Sequence, residues 1–204
     1  MEGEAAVRRL QLAVKRLFDI VCASIGLVVF SPVLLLISFA IKLDSRGPVF
    51  FIQERLGRNG VPFRIYKFRT MVVDAERIGD GLRVSGADDP RITRVGRILR
   101  LSSLDELPQL INVVKGDMSL VGPRPPVTYH PYCGYCDYPD WAKRRFEVRP
   151  GITGLAQVTV RNSASWEERI RIDVEYVEKF SLLFDISILL RTLWRVATRK
   201  SIYA

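Results

Sequence analysis

From Ile20 to Ile41 the chain reads IVCASIGLVVFSPVLLLISFAI, without one charged side chain. Wound as a helix, a run of that length matches the hydrocarbon thickness of a bilayer. A cleaved leader fits poorly, because the run is long and no small-residue cleavage site precedes Lys42. A helix buried in a soluble core competes for the same run. Ser31-Pro32 interrupts it midway. Pro32 has no N–H for the carbonyl of Val28, which predicts a kink, with Ser31 placed to satisfy the freed group.

Charge limits how the run sits in a membrane. Arg8, Arg9, Lys15 and Arg16 precede it, and Lys42, Arg46, Arg55 and Arg58 follow. With basic residues on both flanks, the positive-inside rule prefers neither direction. A hairpin that enters and leaves on the cytoplasmic side satisfies both ends; an ordinary Pro-kinked span is the alternative. The 204 residues carry a net charge of +9. Such an excess points to nucleic acid, an anionic membrane face or a phosphorylated substrate, and no nucleic-acid-binding motif is present. The three cysteines are an odd number, one of them within the apolar run, so no disulfide framework is expected.

Beyond Lys42 the character is soluble. Val49 to Arg55 and Pro62 to Phe68 read as strands around the turn signal Gly57-Arg58-Asn59-Gly60. The second strand runs into KFRTM, and alternation puts Lys67 and Arg69 on one face. Two cations there suit a phosphate, or simply block a sheet edge. Asp74 to Gly81 reads as a short helix and Gly86 to Pro90 as a turn. Ile92 to Leu101 is basic and amphipathic, with Ile92, Val95, Ile98 and Leu99 as its stripe and Arg91, Arg94, Arg97 and Arg100 around it.

The stretch RLSSLDELPQLINVVKGDMSLVGPRP, Arg100 to Pro125, concentrates chemistry. Asp105 and Glu106 precede a helix predicted from Pro108 to Val114 and stopped by Gly116. Free N–H groups at such a start favour anions and ionised carboxylates. Two readings compete. Ser103 and Glu106 fit a capping box, in which Glu106 only satisfies a backbone N–H. Against that, Pro108 sits awkwardly inside a helix capped by Ser103. Arg97, Arg100 and Arg124 also suit a phosphorylated ligand. Pro123-Arg124-Pro125-Pro126 stiffens the backbone around one guanidinium, as phosphate recognition requires; an exposed connector is the plainer reading.

His130, Cys133 and Cys136 offer three zinc ligands, with no second cysteine pair to complete a site. Tyr129, Tyr132, Tyr135 and Tyr138 line the same segment and suit a sugar pocket or the membrane interface. Arg149 to Gly154 is turn-rich and leads to a strand predicted over Leu155 to Val160. A helix follows from Trp166, with Ile170, Val174 and Val177 on one face. Leu182 to Val196 is a second amphipathic run, with Trp194, Arg191, Arg195 and Arg199 near its end, and suits the headgroup layer. No internal repeat, P-loop or dinucleotide fingerprint appears.

In order, the chain shows Lys15-Arg16-x-x-Asp19, Ser-Pro within an apolar run, KFRTM, the Asp-Glu pair, LVGPRP and RPGITGLAQV. This ordered set resembles the bacterial sugar transferases known as monotopic phosphoglycosyl transferases, from about Lys15 to the C-terminus. Larger relatives carry an N-terminal membrane bundle, and the chain resembles their minimal catalytic form. The resemblance implies a membrane enzyme that moves a sugar 1-phosphate from a UDP-sugar to polyprenol phosphate and releases UMP. It implies Asp105 as nucleophile, Glu106 as its partner, and Mg2+ held by Asp105 and Glu106. Asp173 matches a functional Asp of the family, and the family's re-entrant membrane helix matches the hairpin; by their charge and placement Lys67, Arg69, Arg100 and Arg124 are the other expected substrate-binding residues.

The expected fold is α/β, mostly α: a re-entrant helix hairpin, then a small cytosolic domain with a short β-hairpin and interfacial helices. Its divisions are a flexible tail over 1–14, polar and frayed to about Val7, the membrane helix over 15–43 and a catalytic domain over 44–204. The expected partners are the UDP-sugar, the polyprenol phosphate and membrane lipids, with no nucleic acid, on the cytoplasmic face of the bacterial membrane. A non-catalytic basic membrane adaptor explains the charge and the anchor, but not adjacent carboxylates among arginines.

Overall fold

The computed structural model describes residues 2–78, 81, 86, 88–160 and 164–198. The apolar run lies within α1, a single helix from Glu2 to Asp44. At 43 residues it is roughly 65 Å long, and it is helical through the segment expected to be a tail. It is also unbroken at Ser31-Pro32, where a hairpin was expected. Ser31 Oγ donates to the Val28 carbonyl at 2.8 Å, the group Pro32 cannot reach. That local repair lets the helix continue.

One stripe of α1 rests on the rest of the protein. Ala23 packs with Ile65, Leu110, Val113 and Met118. Ile37 and Ile41 pack with Phe68 and Leu99. The opposite side is open apolar surface, with Val28 74% and Leu35 72% exposed. Only 11% of its most apolar window is buried, so the soluble-core reading is excluded.

β1 (Phe50–Leu56) and β2 (Pro62–Phe68) pair antiparallel, Phe50 opposite Phe68 and Leu56 opposite Pro62, close to the expected bounds. Asn59 and Gly60 take positive φ in the turn, as its sequence demands. Among the described residues, the stretch expected as a short helix from Asp74 to Gly81 shows a 3-10 turn, Ala75–Arg77; 79 and 80 lie outside them. α2 (Arg94–Ser102) and α3 (Gln109–Lys115) follow, with Gly116 ending α3 at φ 98°. β3 (Ser119–Val121) runs parallel to β4 (Gly151–Thr153), and between them lie the Pro-Arg-Pro loop and the short α4 (Asp140–Lys143).

The strand expected over Leu155 to Val160 is instead helix α5 (Leu155–Thr159). Leu155 and Val158 bury against Tyr176, Val177 and Ile188, and that packing overrides the β-branched composition. α6 (Trp166–Glu178) and α7 (Leu182–Thr198) complete the described fold. Arg199, expected near the end of α7, lies outside the described residues. The described residues are thus mostly helical, with two small two-stranded sheets among them.

One turn of α1 ties these parts together. Lys15 Nζ donates to Asp185 of α7, whose other carboxylate oxygen accepts from Tyr176 of α6 at 2.7 Å. Arg16 donates to the Val113 and Val114 carbonyls at 2.6 and 3.1 Å, capping the end of α3. Asp19 Oδ1 accepts from the Leu120 N–H of β3 at 3.1 Å. Lys15, Asp19 and Asp185 are all buried, so each charge needs these partners.

Candidate active site

α2 is followed by Ser103, which takes the left-handed conformation at φ 56°, and reversal there costs about 1 kcal/mol for a non-glycine residue. It throws Leu104–Glu106 into a single 3-10 turn ahead of α3. The Ser103 side chain caps nothing, and Glu106 turns away from the backbone. The capping box is therefore not formed. Instead Lys67 Nζ of β2 donates to Glu106 Oε1, and Arg124 Nη2 of the Pro-Arg-Pro loop donates to the same oxygen at 3.3 Å. Three of the expected residues thus meet around Glu106: Lys67, Arg124 and, next in sequence, Asp105.

The two carboxylates differ sharply. Burial opposes ionisation of Glu106, but the charges and hydrogen bonds of Lys67 and Arg124 outweigh it and hold its pKa at about 2. Asp105 receives no hydrogen bond among the described residues. Burial raises its pKa to about 6 against the pull of Lys67, with Glu106 adding to the rise and Arg100 and Arg124 opposing it. At neutral pH Asp105 is charged in majority yet poorly compensated, which is the condition of a reactive carboxylate. The expected stabilisation of both carboxylates by the helix start is found for Glu106 alone, and side chains provide it.

Arg69 lies elsewhere. β2 ends at Phe68, so strand alternation stops before it reaches Arg69. Its guanidinium donates to the Arg46 carbonyl at 2.7 Å and to the Ser45 carbonyl and hydroxyl at 2.8 and 2.9 Å, clamping the exit of α1. Arg100 stands near Asp105 as a charge rather than a bonded partner. Asp173, on α6, is fully buried and paired with Arg145, away from the open surface. Burial raises its pKa to about 6, with Arg145 opposing.

Arg145 and Arg55 were not singled out by sequence as site residues. Arg145 donates to the Arg124 carbonyl at 2.8 Å, so the Asp173–Arg145 pair braces the Pro-Arg-Pro loop from behind. Arg55 Nη1 donates to the Pro125 carbonyl at 3.0 Å. Both act on main-chain oxygens across the fold, and sequence spacing carries no such signal.

The glycines of LVGPRP and RPGITGLAQV lie against one another's backbone. A Cβ on Gly122 would lie 2.4 Å from the Arg149 carbonyl oxygen, and one on Gly154 would lie 2.1 Å from that of Gly122. Magnesium takes one or two carboxylates and completes its shell with water and phosphate oxygens. Adjacent Asp105 and Glu106 fit that donor set, Asp105 having no competing donor among the described residues. Cys133 and Cys136 are free and exposed, and the His130 ring packs edge-on to Trp166 at 5.2 Å. No three His, Cys, Asp or Glu side chains converge among the described residues, which leaves the zinc reading without support. Tyr138 belongs to the core with Ala142 and Phe146, whereas Tyr129 is 51% exposed.

Comparison with known proteins identifies relatives of this chain. A UDP-glucose:undecaprenyl-phosphate glucose-1-phosphate transferase of Caulobacter vibrioides is 44% identical over 194 residues, covering 93% of this chain and 72% of the relative. The exopolysaccharide production protein ExoY of Rhizobium meliloti is 38% identical, over 99% of this chain and 93% of its own length. An undecaprenyl-phosphate galactose phosphotransferase of Salmonella typhimurium is 41% identical over 93% of this chain, which spans 41% of that longer protein. The profile described as bacterial sugar transferase matches residues 10–199, and the chain belongs to that family.

Proposed function

We propose that this protein transfers a sugar 1-phosphate from a UDP-sugar to polyprenol phosphate, releasing UMP, at the cytoplasmic face of a bacterial membrane. The asymmetry of the dyad carries this reading: one carboxylate paired through a single oxygen with two cations, its neighbour charged and open. Asp105 attacks the sugar-bearing phosphorus. The bond from that phosphorus to the bridging oxygen breaks, and UMP leaves with the electron pair. Asp105 then holds the sugar phosphate as an acyl phosphate. An oxygen of the lipid phosphate attacks the same phosphorus in the second step and restores the carboxylate.

Lys67 and Arg124 place positive charge where the diphosphate must approach, which lowers its repulsion of Asp105. Glu106 fixes both cations through its one oxygen. Mg2+, held by Asp105 and Glu106, would supply further neutralisation of the diphosphate. The names of the relatives, undecaprenyl-phosphate sugar-phosphate transferases, support the choice of acceptor and donor class.

A one-sided membrane seat is part of the proposal. Ala23 and Ile41 of α1 both pack on the same body while the opposite side of the helix stays open and apolar, as a helix seated along one membrane face requires. Exposed Ile98 and Leu101 on basic α2, and Leu190, Leu193 and Trp194 on α7, extend that seat into the headgroup layer. Labelled UMP should exchange into UDP-sugar without lipid acceptor, and Asp105→Asn should abolish the exchange. Exchange surviving in that variant removes Asp105 as the nucleophile. A folded protein inert toward a wide donor panel returns the adaptor reading.

A further inference from the structure

Joined to Pro125 through Arg55 stands a polar group that the two steps above do not use. Arg55 Nη1 holds the Pro125 carbonyl, and Arg55 Nη2 donates to Oε1 of Gln53. A guanidinium only donates, so it fixes the Gln53 amide with its oxygen toward Arg55 and its nitrogen outward. That nitrogen donates to Glu76 Oε1 at 2.7 Å and to Tyr129 Oη at 3.4 Å. Glu76 and Tyr129 are both exposed. Strand β1, the turn Ala75–Arg77 and the loop after Pro126 thus bring together an aimed amide, a carboxylate and a phenol. One continuous set of bonds joins them to the loop that carries Arg124. Exposed contacts of this kind add little to folding stability, so stability does not account for the convergence.

We infer that Gln53, Glu76 and Tyr129 form the surface that reads the hydroxyl groups of the transferred sugar. The inference rests on the phosphoglycosyl-transfer reading. In such a donor the sugar hangs from the reacting phosphorus through one oxygen, so it must lie against surface bordering Asp105 and Arg124. The outer face of α2, with Ile98 and Leu101 exposed beside Arg94 and Arg97, offers hydroxyls guanidinium donors but no carboxylate. The Gln53 group supplies one, Glu76. A carboxylate accepts from two neighbouring hydroxyls, and the amide N–H that reaches Tyr129 at only 3.4 Å is the one a third hydroxyl takes over. A phenol ring covers the C–H face of a pyranose while its hydroxyl bonds the rim. Arg55 links the two tasks, because the residue that orients Gln53 also holds the loop that grips the phosphate.

The test uses the full chain in detergent or nanodiscs and UDP-hexoses that differ at single hydroxyls. Wild type, Gln53→Ala, Glu76→Gln and Tyr129→Ala are compared by kcat/KM for each donor and by inhibition with UMP, which has no sugar. For the preferred donor, kcat/KM should fall about tenfold or more, as expected for a lost hydrogen bond to a charged group. Discrimination between epimers should shrink by a similar factor, with UMP inhibition unchanged. Discrimination within twofold of wild type in both Glu76→Gln and Tyr129→Ala overturns the inference. So does a uniform loss that includes UMP inhibition, which would mark a disturbed Arg124 loop. If wild type releases no UMP from any donor, the transferase reading itself fails. Calorimetric binding of UDP-sugars against UMP then decides the sugar surface alone: loss of the sugar-dependent affinity in the variants upholds it, and unchanged affinity overturns it.

Discussion

Asp105 and Glu106 share a turn and a solvent boundary, yet the fold aims both nearby hydrogen-bonding cations at Glu106. This has opposite consequences for stability. The folded pKa of Asp105 is raised to about 6 from an ordinary 3.8, so its ionisation works against the fold. Stability therefore falls as pH climbs through about 4 to 6, and the penalty is complete above that window. Glu106 is held at about 2 against an ordinary 4.5, so its contribution is present above about 4.5 and is lost on acidification toward 2. At pH 7.5, Asp105→Asn should raise the melting temperature while abolishing transfer. Glu106→Gln should lower stability by about 1–2 kcal/mol, because it leaves Lys67 and Arg124 without their anion. Thermal unfolding in detergent from pH 4 to 8 checks both signs. The Asp105→Asn advantage should vanish near pH 4.

Among the elements, the parallel pair β3–β4 sets the Pro-Arg-Pro loop, and its spacing depends on missing side chains. Gly122→Ala or Gly154→Ala puts a methyl group within about 2.4 Å of a carbonyl oxygen. Each should cost more than about 3 kcal/mol through forced backbone movement, read as lost folded yield or a lower unfolding midpoint. Sequence alone described the local elements well. Alternation and a Gly-rich turn marked the hairpin, and Pro108 and Gly116 bracketed α3. It misplaced the strand near Leu155, because β4 sits at Gly151–Thr153, where glycine permits the approach to β3 that propensity does not register. It grouped Arg69 with Lys67 because alternation was carried past the strand's last residue. It missed Arg145 and Arg55 because both hold backbone oxygens distant in sequence, visible only once β1, α6 and the loop stand together. The meeting of Lys67 and Arg124 at Glu106 was foreshadowed because their charges fall within short motifs, KFRTM and Pro-Arg-Pro.

At the scale of the whole molecule, Lys15, Arg16 and Asp19 place α7, the end of α3 and the start of the Pro-Arg-Pro arm on one helical turn. Arg16→Ala frees two carbonyls at the end of the helix that follows the dyad. It should lower kcat several-fold with little change in KM, while vesicle flotation remains as in wild type. Flotation lost together with activity would show that Arg16 serves membrane attachment instead. The same turn decides how the protein can be handled. A fragment trimmed to begin after Asp44 forfeits the cap on α3, the donor to Asp185 and the acceptor for Leu120 in one cut. Solubility therefore has to be sought by redesigning the greasy outer side of α1 around Val28 and Leu35, leaving its inner seam untouched, rather than by scissors.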